Sequence, residues 1–229
     1  MNEIIKSLYN RKSMRVYEEK PIPEEMKEVI LEAAAQAPSA GCQQLYTILD
    51  ITDEKLKEAL SETCDHQPFI AKAPMVLVFC ADCKKWYDTY LEAGCSPRKP
   101  GMGDLMLAVT DTAIAAQNAV VAAESFGIGS CYIGDIMENY EEQRRLLQLP
   151  EYVFPSVMLV FGCGLQSSRK KERSHYALTR SILFMKILIV AWKEKNFGRC
   201  SKIAADRNLS RSGQRLSVTE NMIRIFPGR

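Results

Sequence analysis

Three features of the sequence predict a domain that mixes helices with strands. Apolar residues recur at helical spacing over 23–37, β-branched and apolar runs fill 45–52 and 75–81, and an almost wholly apolar stretch covers 105–126. Hydrophobic residues make up 47% of the 229 positions and charged residues 25%, enough to build a sizeable core. No internal repeat, low-complexity tract or Ser/Gly-rich linker divides the chain.

The elements follow in order. A short helical pattern precedes Arg11. Met26, Val29, Ile30, Ala33, Ala34 and Ala37 then share one helical face, with Pro23 in the first turn and Glu24 and Glu25 near the positive end of the dipole. Residues 45–52 alternate in part and read as a strand; 75–81 are continuously apolar after Pro74 and read as a fully buried one. Helices are expected over 53–63 and 82–93, and the Gly and Pro residues of 94–103 demand a loop at the rim of a site. Asp104 caps a helix over 105–126 that Gly127 ends. That helix is apolar on nearly all faces, so it belongs at the centre of a domain or of a subunit interface, and a dimer is expected. Strands at 130–134 and 155–162 flank a helix at 139–148.

A net charge of only +2 gives no reason to expect a nucleic-acid or membrane partner. The charge is uneven, however: residues 193–229 hold nine basic and three acidic side chains, a local balance of +6. The N-terminus does not read as a secretion signal, and the apolar run 182–192 is interrupted by Lys186 and too short to span a bilayer, so a cytoplasmic location is expected. Eight cysteines scattered through a domain of this size are expected to be reduced thiols.

Three stretches carry chemistry. In an extended segment Arg11, Ser13 and Arg15 share a face, placing two guanidinium groups and a hydroxyl around one volume, which suits a phosphate; a solvated basic stretch is the alternative. Residues 37–44 end a helix in small residues and then offer Gln44 to a heteroaromatic edge, or simply connect a helix to a strand. Gly127, Gly129 and Gly134 bracket a short strand whose end can aim an amide N–H at a ligand, although the spacing matches no dinucleotide or P-loop motif.

Together the three carry a resemblance. The RKSMR motif (11–15), the APSAGCQQ stretch (37–44), the block from Pro100 to Ile136 and the VMLVFG strand followed by basic residues resemble the FMN-dependent nitroreductase superfamily in order and spacing over about residues 1–173. The resemblance implies an α+β fold with a mixed, mostly antiparallel central sheet flanked by helices, and a homodimer with FMN between subunits. It also implies NAD(P)H as electron donor and a ping-pong transfer to a nitroaromatic, quinone or similar small acceptor. By the same resemblance, Arg11, Ser13 and Arg15 hold the phosphate, with Lys171 and Arg173 returning to it. Ser39, Ala40 and Gln44 line the flavin from the partner subunit, and Ile133, Gly134 and Asp135 approach its reactive edge. A binding protein that sequesters or senses flavin with little turnover is the alternative. Residues 1–184 are expected to form the FMN-binding domain and 185–229 a divergent basic segment, with weak or partial order over 198–229.

The chain departs from the family pattern at Cys42, where many relatives have Asn, and at Gly162, Cys163 and Gly164, where Gly-Tyr-Pro is usual. Other candidates read as structural. Cys80 and Cys83 form a lone CxxC, expected as buried thiols. His66 and His175 have no ligand set around them, so neither zinc nor a hydrolytic triad is supported, and His66 is expected in a surface loop. Trp86, Tyr87 and Tyr90 are packing or the wall of an acceptor pocket.

Overall fold

A computed structural model describes residues 2–164. The expected boundary at residue 184/185, the basic segment beyond it, Lys171 and Arg173 all lie outside the described residues. Within them the elements are α1 (Glu3–Asn10), α2 (Glu24–Ala35), β1 (Tyr46–Asp50), α3 (Glu54–Thr63), α4 (Pro68–Ala71), β2 (Met75–Asp82), α5 (Lys84–Glu92), α6 (Met102–Ser125), β3 (Ile128–Ile133), α7 (Tyr140–Leu146) and β4 (Val153–Cys163). Short 3-10 turns cover Ala40–Cys42 and Gly134–Ile136.

The four strands form one sheet in the order β1-β2-β4-β3, every pair antiparallel. This is an α+β architecture with helices on both faces. Strand β2 is buried along its full length, as its unbroken apolar run requires. One face of the sheet packs Leu77, Phe79, Leu159 and Phe161 against Ala115, Ala116, Ala119 and Val120 of α6. The other packs Val76, Val78, Met158 and Val160 against Leu60 of α3 and Ile70 of α4.

Helix starts follow side-chain chemistry. Asp53 caps α3 by accepting the Leu56 N–H at 2.7 Å, and Pro23 stands just before α2 rather than inside it. Asp104 lies in the first turn of α6 and reaches back to the Gly101 N–H at 2.8 Å, so this helix begins at Met102, three residues earlier than expected. By length and apolar composition α6 would reach across a bilayer, but Leu105, Ala108, Ala115, Ala119 and Ala123 are fully buried in the domain. Within this single chain one side of α6 stays uncovered, which leaves the expected subunit interface open. Met102, Met106, Leu107 and Val121 remain exposed, and so do Ile4, Leu8 and Tyr9 of α1.

Candidate functional site

The segment after α1 does not extend into solvent. It lies along β3: Ser13 pairs in parallel with Ser130, the Met14 N–H donates to the Ser130 carbonyl at 2.9 Å, and Glu18 N–H donates to Cys163 O at 2.8 Å. Met14 turns inward and is buried, which leaves Arg11, Ser13 and Arg15 on the alternate positions of the extended segment. The Arg11 guanidinium rests 5.8 Å from the Tyr132 ring and the Arg15 guanidinium 5.9 Å from the Phe69 ring. Neither forms a salt bridge among the described residues. Two cations without a carboxylate, four positions apart beside a hydroxyl, have the chemistry to hold a phosphate.

Strand β3 ends at Ile133, which is buried, and passes into the Gly134–Ile136 turn. Gly134 is exposed, and a Cβ built on it would meet no protein atom within 4 Å. Asp135 is held by the Gln67 side-chain amide, which donates to its Oδ2 at 2.7 Å. Gln67 and Phe69 therefore touch the Gly134 turn and Arg15 respectively, from one short stretch at the start of α4. Sequence reasoning singled out neither residue, and a four-residue helix carries no periodicity that would have revealed it. Burial pushes the Tyr132 phenol up to about 12 despite Arg11, so it stays protonated and donates to Gln117 Oε1 at 3.1 Å.

The third stretch lies elsewhere. Ser39, Ala40 and Gln44 sit in the turn that enters β1, at the opposite edge of the sheet from β3. From Tyr46 to Ile133 the path runs three strands across and three residues along, roughly 17 Å. A single chain thus brings together Arg11, Ser13, Arg15, Ile133, Gly134 and Asp135, and it does not bring Ser39, Ala40 and Gln44 to them.

That turn is tightly held. Gly41, Cys42 and Gln44 have φ of 56°, 56° and 48°. Ser39 Oγ accepts the Gln44 N–H at 3.0 Å, the Gln44 side-chain amide donates to Ala35 O at 2.9 Å, and the Trp86 indole donates to Gln43 O at 2.7 Å. Beside it opens a cavity of about 240 Å³ with Gln43, Trp86, Tyr87, Tyr90, Pro97 and Pro100 in its wall. Arg98 at the rim is neutralised by both oxygens of Asp104, whose carboxyl the guanidinium holds below its usual range. The aromatic face of α5 and the 94–103 loop therefore meet in one pocket.

The cysteines divide by burial. Burial pushes Cys64, Cys80 and Cys83 up to about 12, helped by Asp135 at the first, by Asp82 at the second and by Asp104 and then Asp82 at the third. Cys42 and Cys95 are exposed, and all seven described cysteines are free thiols. With maleimide at pH 8, peptide mapping is expected to find Cys42 and Cys95 modified within minutes while Cys80 and Cys83 stay unmodified in the native protein. Rapid labelling of Cys80 or Cys83 would contradict their burial. His66 lies exposed at a loop with Nδ1 2.6 Å from Glu62.

An antiparallel-sheet α+β domain with a long core helix, a paired-arginine cradle on one sheet edge and an open strand end beside it defines a class with known members. The chain belongs to the nitroreductase family, whose model matches residues 8–164. It is 37% identical over 180 residues to an FMN reductase [NAD(P)H] of Bacillus subtilis, covering 76% of this chain and 70% of that protein. It is also 37% identical over 174 residues to an oxygen-insensitive NADPH nitroreductase of Salmonella typhimurium, with the same coverage. Among solved structures, NfrA2 of B. megaterium superposes with a TM-score of 0.78 at 27% identity, covering 99% of this chain and 94% of that one.

Proposed function

We propose that this chain is an NAD(P)H-dependent FMN oxidoreductase that passes electrons to small aromatic acceptors such as nitroaromatics and quinones. The observation that carries the reading is the pair of guanidinium groups, free of carboxylates among the described residues, beside the open tip of β3. Relatives named as FMN reductases and NADPH nitroreductases support it.

In this reading Arg11, Ser13 and Arg15 compensate the FMN phosphate, and Lys171 and Arg173 join them. FMN held there would supply the hydride chemistry, a two-electron transfer from reduced nicotinamide to the acceptor in two separate half-reactions. Ile133, Gly134 and Asp135 bring backbone to its reactive edge, where an N–H dipole favours the reduced ring. Gln67 fixes Asp135 and so keeps that turn from swinging into the space. Ser39, Ala40 and Gln44 are contributed by a second copy of the chain, since within one copy they lie at the far sheet edge. The exposed apolar residues Met102, Met106 and Val121 of α6, with Ile4, Leu8 and Tyr9 of α1, offer the surface such a homodimer would bury. The aromatic pocket beside Gln43 accommodates the acceptor ring and excludes water from it. The protein acts in the cytoplasm, where NAD(P)H is available.

The absorption spectrum of the purified protein tests this directly. Flavin bands, and steady NAD(P)H oxidation with a nitro compound or menadione that scales with bound FMN, are expected. A featureless spectrum after FMN addition would overturn the cofactor, and bound flavin without turnover would point to a sequestering protein. Gly134→Ala sharpens the test. The added methyl meets no protein atom, so the melting temperature should not move, whereas turnover should fall about ten- to hundredfold because the flavin edge is displaced. Full activity in this variant would remove Gly134 from the site.

A further inference from the structure

We propose that Asp111 is a positioning residue: its carboxylate, buried midway along α6, holds the 39–45 turn in the shape that presents Ser39, Ala40 and Gln44 to the flavin. The flavin half of this statement rests on the function proposed above.

Asp111 is 3% exposed and is the only charged residue of α6 between Asp104 and Glu124. It forms no salt bridge among the described residues. A carboxylate desolvated in this way is strongly disfavoured unless other dipoles replace its water. Those dipoles come from the turn. The Ala40 N–H donates to both oxygens, at 3.1 and 3.2 Å, and the Leu45 N–H donates to Oδ2 at 3.3 Å. Lys85, whose ammonium feels the Asp111 charge, donates instead to the Tyr46 carbonyl at 2.8 Å.

The turn needs such an anchor. Cys42 and Gln44 occupy the left-handed region without being glycine, which crowds each Cβ against its own backbone, so the backbone does not favour this shape by itself. The ties from Ser39, Trp86 and Gln44 hold its outer side, and Asp111 grips both ends from the core. Because its oxygens are occupied by the chain's own amides, Asp111 acts through the turn and does not touch cofactor.

Two variants test this. Asp111→Asn keeps the size but turns one acceptor oxygen into a donor facing an N–H. Ala40→Pro deletes the main donor and leaves the carboxylate; Ser39 already has the extended backbone (φ −138°, ψ 156°) that a residue before proline adopts. Each should raise the FMN dissociation constant, read by flavin fluorescence titration, about tenfold or more. In flavin-free protein each should speed amide hydrogen exchange of the 39–45 peptide, with the sheet peptides unchanged. The double variant should lose less than the product of the two single losses, because the two share the Ala40–Asp111 contact, while only Asp111→Asn also touches the Leu45 bond. If Asp111→Asn lowers the melting temperature but leaves FMN affinity within about twofold and exchange at 39–45 unchanged, Asp111 is a core residue only and the proposal falls. If Asp111→Asn does not fold, Ala40→Pro decides on exchange at 39–45 in flavin-free protein, the readout that a direct contact of Ala40 with the flavin does not move: unchanged exchange there overturns the proposal. A wild-type protein that fails to bind FMN overturns the functional reading and the flavin half with it, while exchange at 39–45 separately decides whether Asp111 holds the turn.

Discussion

Arg15→Ala is expected to weaken FMN binding about ten- to hundredfold while leaving the fold intact. Both halves of that expectation come from the placement of Arg15. The residue is exposed, makes no salt bridge among the described residues and touches the domain through the Phe69 ring, 5.9 Å from its guanidinium carbon. Removing such a side chain changes stability by only about 0.5 kcal/mol. In the site proposed above the same side chain would face the FMN phosphate, where a charge-assisted bond to a dianion is worth about 1.5–3 kcal/mol, and each 1.4 kcal/mol is tenfold in affinity. Arg15→Lys separates charge from geometry: it keeps the cation but loses the planar fork and its stacking on Phe69, so an intermediate affinity is expected. Arg11→Ala should act similarly, with some loss of packing because Arg11 is half-buried against Tyr132. Fluorescence titration of the flavin-free protein reads all three. An Arg15→Ala protein that binds FMN as tightly as wild type would remove the phosphate from this end of the chain.

Much of this site was legible in the sequence because its signals are local. The alternation of Arg11, Ser13 and Arg15 about Met14 needs only an extended backbone, and the glycines around 128–134 mark a short strand with an open end. The full burial of β2 and the length of α6 follow from apolar runs that leave no alternative. Pairing is a different matter. Nothing in 45–52 or 130–134 announces that these strands occupy opposite edges of the sheet, because strand order is decided by packing between distant segments. The separation of Gln44 from Gly134 within one chain therefore appears only in the structure. Gln67 and Phe69 stayed hidden for a related reason: their roles depend on contacts with Asp135 and Arg15, remote in sequence. Asp111 did leave a trace. A single carboxylate inside an otherwise uncharged helical run is costly to bury without partners, and that cost is the signal that singles it out.

Gly162→Ala should show how closely the cradle depends on the sheet beneath it. A Cβ at this position would lie 2.5 Å from Tyr17 Cδ1, 2.8 Å from its Cγ and 2.9 Å from Pro74 Cδ. None of these atoms can yield easily. The Tyr17 ring is rigid, its hydroxyl donates to the Met14 carbonyl at 2.7 Å, and its backbone pairs with Gly164, while Pro74 is fixed by its own ring just ahead of β2. The methyl must therefore push the 13–18 segment off the sheet, an overpacking cost of about 1–3 kcal/mol. In a domain of this size that lowers the melting temperature by about 3–10 °C. Arg11, Ser13 and Arg15 are carried on the displaced segment, so FMN affinity should fall with stability, unlike in Arg15→Ala, where affinity alone changes. Gly164→Ala provides the contrast. Its new methyl would meet the Met14 thioether, with Cε at 2.5 Å and Sδ at 2.7 Å, and an unbranched side-chain end can swing aside at small cost. At 164, where Pro is usual, the chain has a glycine against which the Met14 thioether packs. Melting curves and FMN titrations on the two variants should rank Gly162→Ala well below Gly164→Ala on both measures. A Gly162→Ala protein that melts with wild type would show that Tyr17 is not wedged between the glycine and the rest of the cradle.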